Sequence, residues 1–160
     1  MDIILEELTA GMPDSRQIVR VITRLLAAML LGAIIGFQRE HTGKPAGLRT
    51  HMLVALGAAL FTLAPLDAGM NSADLSRVIQ GLATGIGFIG GGAILKLSKE
   101  HEIKGLTTAA GIWIAAAVGV AVALGRLWLA ILSVVLTWFI LAIVGKIENR
   151  FGVRHATRDQ

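Results

Sequence analysis

The sequence predicts an all-α membrane protein of about five transmembrane helices, and three features carry that prediction. Hydrophobic residues make up 54% of the 160 residues before the 19 glycines are counted, while charged residues make up only 16%. A soluble domain has roughly 45–50% apolar residues with glycine included and about 25% charged ones, so this chain is too apolar to cover a globule in water. The apolar residues also gather into five blocks separated by short charged loops. None of the blocks alternates apolar with polar residues, which argues against a membrane β-barrel.

Block one runs from about Val19 to Phe37, uninterrupted from Leu25, with Arg20 and Arg24 near its start. A hydrocarbon core of about 30 Å asks for about 20 apolar residues, so those arginines must snorkel towards the interface. Block two, Met52 to Pro65, is short and ends at a proline. Block three, Val78 to Leu95, holds Gln80, Thr84 and six glycines. Block four, Thr108 to Leu124, is rich in alanine, and block five spans Leu127 to Gly145. The Gly125-Arg126 connector makes the last two a tight antiparallel pair. Residues 1–18 are then a short extracytoplasmic segment, 19–145 the transmembrane domain and 146–160 a basic tail. The opening MDIILEELTAGMPDSRQ has no basic start and no small-residue cleavage site, so it does not read as a signal peptide. Cysteine is absent, which excludes a disulfide scaffold, a cysteine-ligated zinc and a thiol nucleophile.

The net charge of +4 would suit a polyanion partner, but its placement gives it another meaning. Arg39, Lys44, Arg49, Lys96, Lys99, Lys104, Lys146, Arg150, Arg154 and Arg158 fall on one side of the expected membrane. Arg16, Arg20, Arg24, Arg77 and Arg126 fall on the other. The positive-inside rule places the richer side in the cytoplasm, with the N-terminus outside and the C-terminus inside. Nucleic acid is not an expected partner; the lipid bilayer is.

An internal repeat agrees with this topology. At an offset of 60, GAIIGFQREHTGK (Gly32 to Lys44) lies over GAILKLSKEHEIK (Gly92 to Lys104) with six of thirteen positions identical. After a two-residue slip, GLRT (Gly47 to Thr50) lies over GLTT (Gly105 to Thr108). A repeat of two helices keeps its orientation, so helices one and two should be related to three and four by an axis along the membrane normal, with the fifth outside the repeat.

The polar candidates follow from this plan. Arg39-Glu40-His41 and Lys99-Glu100-His101 are the charge-dense clusters near the membrane, and Glu40 is expected to pair with Arg39 or Arg49. Thr50 and Thr108 suit helix N-caps, and two helix N-termini facing each other would make a positive-ended site. The bland reading of these loops is a solvated surface that only sets topology. Gly85-x-Gly-x-x-Gly90 is a literal dinucleotide fingerprint, but it lies within an apolar span with no strand before it. Gly81, Gly85, Gly87, Gly90, Gly91 and Gly92 instead suit close helix packing, or the wall of a cavity with Gln80. No nucleophile–base pair or phosphate loop appears, so no catalysis, cofactor or metal site is expected.

Several strings resemble the MgtC/SapB family of bacterial inner-membrane proteins. They are Gly36-Phe-Gln-Arg-Glu40, Pro45-Ala-Gly-Leu-Arg-Thr-His-Met-Leu-Val54, Gly57-Ala-Ala-Leu-Phe61, the glycine run Gly85 to Gly92, and Gly105-Leu-Thr-Thr-Ala-Ala110 with Trp113. The resemblance implies a five-helix inner-membrane domain, with motif residues at Arg39, Glu40, Arg49, Thr50, His51, Thr107 and Thr108. It implies a role in Mg²⁺ homeostasis, virulence and the control of membrane ATPases rather than Mg²⁺ carriage. The family's Arg-Ala-Ala-Gln pattern is Arg77-Val-Ile-Gln80 here, and the resemblance covers the membrane domain without the ACT-like domain that follows it in virulence-type members. The leading expectation is a non-enzymatic protein acting on other membrane proteins such as an ATPase, with a homo-oligomer compatible with its glycine faces. The alternatives are a small channel or carrier with a cavity lined by Glu40, Arg49, Gln80 and Thr108, and a purely structural scaffold.

Overall fold

The computed structural model of the chain describes residues 14–97 and 105–144, and no strand occurs among them. Five helices follow one another: α1 (Ser15–His41), α2 (Leu48–Asp67), α3 (Ser72–Leu97), α4 (Leu106–Ala123) and α5 (Leu127–Phe139), the last continuing as a π turn over Ile140–Val144. All five apolar blocks are therefore helical over their described residues. Four segments (α1, α2, α4 and Leu127–Val144) are long and apolar enough to cross a membrane.

The helices outrun the apolar blocks because polar residues cap and extend them. Asp14 accepts the Arg16 N–H at 2.6 Å and starts α1 ahead of Val19. Asn71 accepts the N–H groups of Ala73 and Asp74 at 2.9 and 3.0 Å and starts α3 ahead of Val78. Block two is not short: α2 begins at Leu48, takes Arg49 and His51 into its first turns, and continues through Pro65 to Asp67. A proline so near a C-terminus removes one backbone donor without ending the helix. The turns rely on left-handed backbone at Gly43, Gly69 and Gly125, and at Ala46, where a Cβ makes that conformation costly.

Contacts fix the relative directions of the helices. Moving along α2 from His51 to Ala55, the partners on α4 advance from Gly111 to Gly119, so these two helices run parallel. Ile86 and Gly90 of α3 meet Ile112 and Ala109 of α4 in reverse order, so α3 is antiparallel to both. A chain whose second and fourth helices run the same way must recross the same thickness between them. The 26 residues of α3 do this, with a length of about 39 Å. α1 packs mainly on α2 and α3 on α4, while α2 and α4 meet at the centre. That is the pairing expected of a two-helix repeat.

The core is built from small residues. Ala28, Ala59, Ala123 and Ala130 are fully buried beside Ile35, Leu63, Val118, Val122 and Val134. Close approach in lipid depends on such residues because apolar side chains gain nothing from leaving an apolar solvent. A Cβ built at Gly32 would stand 2.6 Å from the His51 carbonyl oxygen, and one at Gly36 would stand 2.7 Å from Leu48 Cα. At Gly119 it would collide with the carbonyl of Ala55. These glycines let α1 and α4 lie against the backbone of α2.

Candidate functional site

At the end of the bundle where α1 finishes and α2 and α4 begin, Arg39 is drawn inward to 4% exposure. Its Nη2 donates to Thr108 Oγ1 at 2.8 Å and joins the two halves of the repeat across 69 residues of sequence. Its Nε has no acceptor among the described residues. His51, fully buried on α2, donates from Nδ1 to the carbonyl of Gly47 at 2.9 Å. A carbonyl only accepts, so Nδ1 carries a proton, and when the ring is neutral Nε2 presents a lone pair. That atom has no partner among the described residues and looks onto Gly111, where a Cβ would come within 3.1 Å of it. Gln38 Oε1 is a third buried polar atom without a partner among the described residues. Buried polar groups are ordinarily paired, and three exceptions on α1 and α2 near this end mark it as the candidate site.

Glu40 lies on the outer side of this junction. Its Oε2 accepts the Leu48 N–H at 2.8 Å, placing a carboxylate at the positive end of α2. A Cβ at Gly47 would sit 2.7 Å from that oxygen, so the glycine keeps the approach open. Around it lies a pocket of about 270 Å³ lined by Glu40, Lys44, Gly47, Leu48, Arg49 and Thr50. At the far end of the bundle, Arg24 Nη1 donates to the Ala123 carbonyl at 2.7 Å and caps the C-terminus of α4.

Several expectations change. Thr50 and Thr108 are not N-caps: Gly47 and Gly105 hold those positions, and each threonine is the third residue of its helix. Glu40 caps α2 rather than pairing with Arg39 or Arg49, because the Leu48 N–H lies within its reach and Arg39 turns inward to Thr108. Arg49 and Thr107 are exposed, and Thr50 is half-buried. Apart from Gly90, the glycines of α3 do not pack closely on the described residues. A Cβ at Gly81, Gly85, Gly87, Gly91 or Gly92 would meet nothing within 4 Å, and only Gly90 approaches a neighbour, Ala109. Gly81 and Gly85 instead border an apolar groove of about 450 Å³ with Phe61, Val78 and Ile89.

The cavity expected between Glu40, Arg49, Gln80 and Thr108 is not assembled. Gln80 is exposed and lies ten residues before Gly90, the residue that reaches Ala109. That is about 15 Å along α3 from the level of Thr108. Glu100 and His101, with the 146–160 tail and most of the 1–18 segment, lie outside the described residues. Sequence reasoning did not single out Gln38, Gly47, Gly111 or the Arg24 cap. For Gly111 a signal exists in the small-residue row Gly111, Ala115, Gly119 along α4. Among the described residues, no three His, Asp or Glu side chains gather as a metal site would require.

The sequence profile described as the MgtC family matches residues 25–150. SrpB of Synechococcus elongatus is 49% identical over 116 residues, covering 66% of this chain and 63% of that protein. YhiD of Escherichia coli K12, named as a candidate magnesium transporter, is 39% identical over 137 residues, covering 81% and 62%. MgtC of Salmonella typhimurium is 44% identical over 105 residues, covering 66% and 44%. The chain spans less than two thirds of the length of these relatives. No solved structure gives a significant match.

Proposed function

The chain belongs to the MgtC family, and on that premise we propose that it is a non-enzymatic protein of the bacterial inner membrane. It supports growth when Mg²⁺ is scarce by acting on other membrane proteins that set ion balance, a membrane ATPase among them. In this proposal the Arg39–Thr108 end faces the cytoplasm, as the distribution of Lys and Arg favours. The multi-pass helical architecture is the frame for this role, and the names of YhiD and MgtC point to Mg²⁺.

One observation carries the choice of regulator over carrier. Arg39, His51 and Thr108 are confined to one end and Arg24 to the other, with Ala28, Ile35, Ala59, Leu63, Val118 and Val122 packed between. Transporters place their substrate and ion sites near mid-depth, and the polar side chain of α3 expected to line a cavity, Gln80, is exposed and is not gathered with Glu40, Arg49 or Thr108. Ion flux and inhibition of a co-reconstituted membrane ATPase, measured on the same proteoliposomes, test the proposal. ATPase inhibition without Mg²⁺ or monovalent flux supports it, whereas flux that is lost in Glu40→Gln and Arg49→Ala overturns it.

A further inference from the structure

The guanidinium of Arg39 lies at the first turn of α4, because its Nη2 bonds the hydroxyl of Thr108, the third residue of that helix. A cation there faces the positive end of the macrodipole of an 18-residue helix, the reverse of the favourable arrangement. The N–H groups of Leu106, Thr107 and Thr108 point the same way and have no carbonyl within the helix to receive them. Independently, Arg39 is only 4% exposed and its Nε donor has no acceptor among the described residues. The carboxylate nearest in sequence, Glu40, is engaged at Leu48 on α2. A buried cation, a helix N-terminus and an unused donor thus converge with no negative charge from the described residues between them. Charges kept out of water require a partner of opposite sign.

We infer that this corner binds an oxyanion of phosphate type, held by Arg39 and by the first-turn N–H groups of α4. The planar guanidinium fork and the N-terminus of a helix are each matched to phosphate oxygens. The depth also fits: α1 has 27 residues and Arg39 lies two from its end. A helix of about 40 Å exceeds a hydrocarbon core of about 30 Å, so its end reaches the headgroup layer. The phosphate comes either from a phospholipid headgroup or from solution. This site goes beyond the regulatory role proposed above and stands without it.

The test follows thermal unfolding of the full chain in two formats. In detergent, sodium phosphate is titrated against sodium chloride at matched ionic strength. In nanodiscs, phosphatidylcholine alone is compared with phosphatidylcholine plus phosphatidylglycerol. A saturable rise in melting temperature with phosphate assigns free phosphate, and a rise confined to the phosphatidylglycerol discs assigns the headgroup. Arg39→Gln should abolish the rise or weaken it about tenfold or more, as loss of a charged hydrogen-bond partner implies. Thr108→Val, which keeps the side chain's shape, should weaken it less and serves if Arg39→Gln does not fold. Arg77→Ala, at the opposite end of the bundle, should leave it unchanged. The inference is overturned if neither probe acts on the native chain, or if its effect survives both variants. It is also overturned if Glu100→Gln with Glu102→Gln destabilises the chain while neither probe acts, which would assign the counter-charge to the protein itself.

Discussion

Replacing glycine by alanine should change stability with opposite sign on two faces of this bundle. At Gly32 the new Cβ would stand 2.6 Å from the His51 oxygen and 2.8 Å from Ala55 Cβ, and at Gly36 it would stand 2.7 Å from Leu48 Cα. Carbon atoms prefer about 3.5–4.0 Å, so α1 and α2 would have to separate by about 1 Å. The opposing backbone cannot rotate aside as a side chain could. Overpacking of this kind costs about 1–3 kcal/mol, and alanine recovers about 1 kcal/mol of helix propensity, which leaves a net loss of up to about 2 kcal/mol. At Gly87 and Gly91 none of the described residues lies within 4 Å of the added carbon, so only the propensity gain remains. Those variants should be neutral or more stable by about 0.5–1 kcal/mol. Reversible unfolding in mixed micelles, followed by the fluorescence of Trp113, Trp128 and Trp138, measures all four. A loss at Gly87 and Gly91 as large as that at Gly32 and Gly36 would refute the reasoning, because it would mean that the open face of α3 is as tightly packed as the α1–α2 contact.

Three further outcomes can be measured. Glu40→Ala should lower stability by about 1 kcal/mol in the same assay, since it removes the acceptor of the Leu48 N–H and leaves the start of α2 uncapped. Arg24→Ala should cost a similar amount through the loss of its bond to the Ala123 carbonyl, and an unchanged melting curve would show that water replaces it without penalty. For topology, a single cysteine at Ser98 should be labelled only from the cytoplasm and one at Ser72 only from outside. The reverse pattern would invert the proposed orientation.

The helices were legible in the sequence because a bilayer leaves so few alternatives: each apolar block had to be a helix, and charge counting separated the loops. Their ends were not, because Asp14 and Asn71 carry α1 and α3 beyond the apolar residues through caps that hydropathy does not register. Glycine spacing was the least reliable guide. Gly32-xxx-Gly36 and Gly81-xxx-Gly85 are the same pattern, yet among the described residues only the first lies against the backbone of another helix. Spacing shows that a face is smooth but not what lies against it. The repeat drew attention to Arg39 and Thr108, but their bond spans 69 residues and depends on how two helix pairs dock. Thr108 was misread as a cap because its position relative to Gly105, which takes φ 97°, becomes clear only once the helix start is located.

The bond between Arg24 and Ala123 also constrains the order of assembly. Its acceptor is synthesised 99 residues after its donor, so for most of translation the arginine has no carbonyl of α4 to receive it. Until then its guanidinium needs water or a lipid headgroup as its partner, because a charge at membrane depth requires one. Arrival of α4 supplies the acceptor. The turn at Gly125, where a Cβ would come within 2.8 Å of Arg24 Nη2, is then closed over by a side chain made 101 residues earlier.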